Sequence, residues 1–266
     1  MNHPRIHQFG TILQKIPLDT WDDIVLLDPE CQHIGPFRNH YHFGGFASLM
    51  VMLALNSYQL KGKAEMNYWY AMGQHLSGYS NPKTREELQQ ILIPFYEKER
   101  LPKGKLKRIH RFFSSNFAQN LWKSNPDQII NDFSYYWTWL SKIMNQKKNA
   151  KTICFAMKCL GISVLLSGNH RVDFSSIPIP VDSRITSFTQ MMNVTTECTQ
   201  KNIQCIWDQI LEIIQEKNPH VSMIHLDSLI WQIGTLNKHD LSSYFYNQQI
   251  PEIAEELNDF KHKNSM

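Results

Sequence analysis

The sequence predicts an all-α protein built as two helical lobes that share one chain. Apolar residues recur at three- and four-residue spacing, almost no stretch alternates as a strand would, and turn-forming residues separate the periodic stretches. Taken in order, apolar residues recur at helical spacing over 45–60, the most apolar part, 43–55, reading as a buried helix, and 128–144 carries Ile129, Ile130, Phe133, Tyr136, Trp137, Leu140, Ile143 and Met144 on one stripe. The pattern resumes over 151–166, over 203–214 (Ile203, Ile206, Trp207, Ile210, Leu211, Ile214) and over 224–233. Breaks are expected at Gly78 to Pro82, Pro102 to Gly104, Asn125-Pro126, Asn145 to Ala150, 167–182 and Asn218-Pro219. This predicts one lobe from 61–175, with a helix, hairpin and helix over 133–166, and a second from 1–60 with 176–266. A cleft is expected where the 167–182 crossing passes between them.

Of the 266 residues, 42% are hydrophobic and 12% aromatic, which suits a folded core and argues against disorder. The net charge of +3 permits a nucleic-acid partner without demanding one. The N-terminal MNHPRIHQFGTILQ has no charged segment followed by an apolar one, and FGGFASLMVMLAL (43–55) is too short to span a bilayer. A soluble intracellular protein of the cytoplasm or nucleoid is expected, with no membrane partner. Five scattered cysteines suit a reducing compartment; Cys198 and Cys205 form one C-x6-C pair that nothing completes into an iron–sulfur set. CQHIGPFRNHYH (31–42) holds one Cys and three His at spacings that match no structural zinc site, so it reads as a polar surface loop. Neither a metal nor a cofactor is expected.

Charge is concentrated in two places. EKERLPKGKLKRIHR supplies Lys98, Arg100, Lys103, Lys105, Lys107, Arg108 and Arg111, a density that either neutralises phosphates or is a solvated helix face. QKKNAK (146–151) is a short basic turn between two apolar helices, a geometry that aims backbone N–H groups and Lys147 and Lys148 at a phosphate backbone. KTICF then opens the second helix with Lys151 and places Phe155 one turn later on the same face. At the edge of an apolar cleft such a lysine loses water and gains nucleophilic neutral amine; the plain alternative is an ordinary surface lysine.

IPIPVDSRIT (177–186) places two prolines two residues apart before Asp182, making a rigid extended strut that ends in a carboxylate. Asp182 reads as a helix cap or as a catalytic group. Asp227 and Trp231, four apart on one helical face, read as a first-turn acid and a core aromatic, or as a carboxylate and an indole sharing one pocket.

KTICFAMKCLGISVLLSGNHRV, IPIPVDSRITSFT, IWDQI and IHLDSLIWQIG, in this order and spacing, resemble the archaeal GO glycosylase family. Its members are 8-oxoguanine DNA glycosylases with lyase activity, a divergent branch of the helix-hairpin-helix glycosylases. The match is densest over 150–235, with further support from SYQLKGKAEMNYW (57–69) and the basic run after Lys103. The resemblance implies that Lys151 attacks C1′ of a flipped nucleotide and forms a Schiff base, with β-elimination following, while Asp182 stabilises the cationic sugar and moves protons. It also implies that Phe155 and Trp231 sandwich the base and favours Asp227 as the acceptor for its N1-H and exocyclic amine; telling 8-oxoguanine from guanine further needs an acceptor for N7-H, which the Pro180 carbonyl or a nearby Gln would supply.

Three departures accompany the resemblance. Where the family has a glutamine after Asp-Pro, DPECQ offers Glu30 in register or Gln32 after a shift, and Gln32 is favoured. The aromatic after the SY-x-L-x-G segment is Tyr68 or Trp69, with Trp69 assigned to the base. The hairpin also lacks glycine, so its grip on DNA would rest on Lys147 and Lys148, with Lys105, Lys107 and Arg108 as further backbone contacts. The expected partner is double-stranded DNA containing 8-oxoguanine, bound by a monomer. Two rival readings are a non-catalytic helix-hairpin-helix DNA-binding protein and a glycosylase for another base lesion.

Overall fold

The computed structural model describes residues 4–61, 67–168, 177–195 and 197–262. Among them are sixteen α-helices and no strand. The first are α1 (Pro4–Leu13) and α2 (Leu18–Leu26). Next come α3 (Pro29–Ile34), a 3-10 turn (Gly35–Asn39), α4 (Phe43–Leu55), α5 (Trp69–Ser77), α6 (Arg85–Glu97) and α7 (Pro102–Phe113). They are followed by α8 (Asn116–Lys123), α9 (Pro126–Asn131), α10 (Phe133–Met144) and α11 (Lys151–Leu165). The last five are α12 (Ser183–Met191), α13 (Gln200–Gln215), α14 (Met223–Ile233), α15 (Lys238–Asn247) and α16 (Pro251–His262).

The chain forms two compact units, residues 1–26 with 177–266, and residues 27–176. Residues 27–60, assigned from sequence to the lobe containing the C-terminus, fall in the other unit. The reason is α4: all thirteen of its residues are buried, and α11 packs along it. A helix that is apolar all round must be enclosed by its neighbours. Parts of two motifs, residues 62–66 of SYQLKGKAEMNYW and 169–172 of SGNHRV, lie outside the described residues, as does 169–176 of the expected crossing.

In the 27–176 unit, α4 also packs against α8, and that approach depends on Gly44. A Cβ there would fall 2.1 Å from the Trp122 carbonyl oxygen. Backbone cannot yield as a side-chain tip can, so Gly44→Ala should destabilise the protein by about 1–3 kcal/mol. Chemical denaturation checks this; an unchanged midpoint would show that the helices separate freely.

Several local expectations change. The periodic stretch 128–144 divides at Asp132 (φ −115°, ψ 19°) into α9 and α10. Periodicity ran through the break because Ile129 and Phe133 are buried on either side of it. The break expected at Pro102 to Gly104 falls earlier, where Leu101 takes a left-handed conformation (φ 54°) and Pro102 starts α7. Proline suits that first turn because its missing N–H has no helical partner there. Of residues 31–42, expected as a polar loop, 31–39 lie in α3 and the 3-10 turn, with Cys31 and Ile34 buried.

The other unit packs α1 against α13 and α16, and α2 against α14. Phe9, Trp21, Trp207 and Phe260 lie at its centre, each at most 1% exposed. The Trp207 indole N–H donates to Thr189 Oγ1 at 2.9 Å, satisfying a polar group that burial would otherwise strand. No described helix is long and apolar enough to cross a membrane.

Candidate active site

Lys151 is the first residue of α11 and is exposed. The hairpin before it is tightly made without glycine. Asn145 takes the left-handed position (φ 52°) that ends α10, its N–H donates to Lys142 O, and Gln146 N–H donates to Ser141 O at 3.0 Å. This paired Schellman closure needs a residue that tolerates positive φ, and Asn is the usual substitute for Gly. The Trp137 indole N–H then donates to Lys148 O at 2.8 Å, and Thr152 Oγ1 donates to Gln146 Oε1 at 2.8 Å. Arg111 Nη1 reaches Met144 O at 3.1 Å, fixing α7 to the end of α10.

The basic candidates divide by burial. Lys107 and Lys147 are exposed, as is Lys103. Lys148 is half-buried, its Nζ 3.8 Å above the Trp137 ring, so the side chain lies over the helix it follows. Lys105, expected on DNA, is 0% exposed, paired with Glu99 at 3.1 Å and flanked by the rings of Tyr58 and Tyr96. Burial lowers its pKa and Glu99 opposes that fall. Arg108, also expected on DNA, donates to Leu55 O at 2.5 Å and stacks on Tyr58, capping the C-terminus of α4. Spacing alone could not show this, because α7 presents Lys105 and Arg108 inward and Lys103 and Lys107 outward.

Phe155, one turn after Lys151, is half-buried with its ring centroid 6.3 Å from that of Trp69. Tyr68 is committed elsewhere: its hydroxyl donates to Leu53 O and meets the Tyr96 hydroxyl at 2.5 Å. Thus Trp69, not Tyr68, is the aromatic beside Phe155. Burial pushes the Tyr68 and Tyr96 hydroxyls well above the ordinary phenol range.

On α3 the helical pitch separates the two alternatives raised by DPECQ. Gln32, the favoured residue, is exposed, whereas Glu30 is 3% exposed. Glu30 lies 3.9 Å from Lys158 Nζ, whose closer partner is Asp28 at 2.8 Å. The interior position therefore belongs to Glu30. Cys31 and Cys159 are buried, and desolvation, reinforced by the nearby carboxylates, raises both thiols. This buried ion cluster is absent from the expectations drawn from sequence. Its signal was Lys158 alone within the apolar run ICFAMKCLGISVL, because a charge rarely enters such a face unpaired.

In the unit containing the C-terminus, Ile177, Ile179 and Pro180 are buried, and Gln204 Nε2 donates to Ile179 O at 3.3 Å. The strut is thus held by packing as well as by its prolines. It ends at Asp182, whose Oδ1 accepts from Arg184 N at 2.9 Å and from Ile185 N at 3.0 Å, a full N-cap of α12. Asp227 is 4% exposed on α14 and Trp231 is half-buried one turn later. His225 fixes the start of α14: its Nδ1 accepts from Ser222 N, and its Nε2–H, the remaining ring proton, donates to Asp22 at 3.1 Å. Gln232 Nε2 holds the other end through Ile24 O at 2.8 Å.

A family model described as AGOG, N-glycosylase/DNA lyase, matches residues 10–265. The chain belongs to this family. The N-glycosylase/DNA lyase of Methanococcus maripaludis is 28% identical over 193 residues, covering 71% of this chain and 70% of that one. The N-glycosylase/DNA lyase of Methanopyrus kandleri is 28% identical over 188 residues, covering 70% and 72%. A crystal structure of the 8-oxoguanine DNA glycosylase from Pyrobaculum aerophilum, complexed with 8-oxoguanosine, superposes with a TM-score of 0.72. It covers 95% of each chain at 21% identity, which shows that the fold is shared. The chain is thus an N-glycosylase/DNA lyase that acts on DNA, and Lys151, Asp182, Asp227 and Trp231 all fall inside the matched span.

Proposed function

We propose that this glycosylase/lyase excises 8-oxoguanine from double-stranded DNA through a Schiff base on Lys151. The observation that carries the reading is Lys151 itself, an exposed amine on the first turn of the helix after the basic hairpin. Nζ attacks C1′ of the flipped nucleotide, the N-glycosidic bond breaks with its electron pair on the base, and the base takes up a proton. Loss of the amine proton and opening of the sugar leave an imine. Removal of a C2′ proton then expels the 3′ phosphate with the C3′–O electrons. Lys151 is exposed, and bound DNA would exclude water from its amine. Lys158 suits this role poorly, being 5% exposed and paired with Asp28.

Asp182, held against the N-terminus of α12, carries the charge that offsets the developing sugar cation and assists proton transfer. Phe155 and Trp231 stack on the base, with Trp69 behind Phe155. Asp227 accepts from the two adjacent guanine donors, and Pro180 O accepts from N7-H, the proton that separates 8-oxoguanine from guanine. Glu30 replaces Gln32 in the interior position. The enzyme works inside the cell as a monomer.

Borohydride trapping tests the reading. A covalent adduct with duplexes carrying 8-oxoguanine, and none with undamaged guanine, supports it. An adduct only with another lesion would make this a glycosylase of different specificity, and no adduct with any lesion would leave a binding module.

The burial pattern also predicts which cations meet phosphate. Lys107→Ala should leave stability within about 0.5 kcal/mol and lower the slope of log affinity against log salt by about one. Lys105→Ala should cost about 3 kcal/mol, since it strands Glu99, without changing that slope. A changed slope for Lys105→Ala would show that this side chain reaches DNA.

A further inference from the structure

We propose that Arg184 is a positioning residue that holds the Trp231 indole as a ready-made platform for the flipped base. The inference rests on the reading that Trp231 stacks on the base. Arg184 Cζ lies 4.3 Å from the Trp231 ring centroid, and Nη1 donates to the Trp231 carbonyl at 2.5 Å. The side chain therefore covers one face of the indole and binds the backbone beneath it, leaving stacking on a base to the other face. Trp231 is half-buried, so core packing does not fully restrain it. Gly234 leaves space for the arginine stem, because a Cβ there would come within 3.2 Å of Arg184 Cγ.

The same residue joins two parts of the site. Its backbone N–H is one of the two capping donors to Asp182, and its guanidinium ends on α14. Changing the Arg184 side chain leaves the cap intact, since Arg184 contributes only its main-chain N–H to the Asp182 carboxylate. A loose indole must be immobilised when the base arrives, and ordering one such side chain weakens binding by a factor of roughly two to ten.

Single-turnover base release from an 8-oxoguanine duplex, titrated with enzyme, separates binding from chemistry. Arg184→Met, which keeps the stem, should raise the half-saturating concentration roughly two- to tenfold and leave the saturating rate within about twofold. Arg184→Lys should remain impaired, because an ammonium cannot lie flat on the ring. Adding Arg184→Met to Trp231→Ala should bring no further loss. An unchanged half-saturation in both Arg184 variants, or an equal further loss in the Trp231→Ala background, overturns the proposal. If Trp231→Ala alone leaves half-saturation unchanged, the stacking reading itself has failed. If only Trp231→Ala weakens binding, that reading stands and the positioning role falls.

Discussion

Lys151→Gln should still bind a duplex containing 8-oxoguanine yet form no borohydride-trapped adduct with it, and its base release should fall by about 10³-fold or more. The size follows from chemistry, since losing the nucleophile removes the covalent route and leaves only binding and electrostatic assistance. Stability should change little, because Lys151 is exposed at the start of α11 and the hairpin closures run through Asn145, Gln146, Trp137 and Lys148. Lys158→Gln is the informative control. It removes the cation from Asp28 and Glu30, both nearly fully buried, and should cost about 3–5 kcal/mol of stability. An adduct that persists in Lys151→Gln would move the nucleophile elsewhere.

Asp182→Asn should fold with near-normal stability and lose about 10²–10³-fold in base release. Asn keeps an oxygen for the Arg184 and Ile185 N–H groups and caps a helix about as well as Asp, so thermal unfolding should hardly shift. What it lacks is the negative charge opposite a cationic transition state. Asp182→Ala should lose the same activity and also about 0.5–2 kcal/mol of stability, because both capping bonds go. If Asp182→Asn retains full activity while Asp182→Ala does not, the carboxylate is a cap alone.

The helix that starts at Lys151 was legible because a basic turn and an apolar 3.6-residue repeat meet at one point, and α11 begins at that residue. The cap at Asp182 was legible for a similar reason: the proline strut and the capping preference act within a few residues. Arg184 and Trp231 are 47 residues apart, and nothing local links them. Lys105 and Lys107 are both lysines on a basic helix, yet one is fully buried and the other exposed.

By itself, then, the sequence determined the helical class, the hairpin, and the two residues that open α11 and cap α12, because local periodicity, turn chemistry and capping act over a few residues. Only the tertiary structure decided that residues 27–60 pack with the hairpin unit, that Lys105 and Arg108 brace α4, that Glu30 and not Gln32 faces inward, and that Arg184 covers Trp231. Each depends on which face of a helix its neighbours enclose. Burial, which sets whether a charge meets water, a partner or DNA, arises only when distant segments pack together.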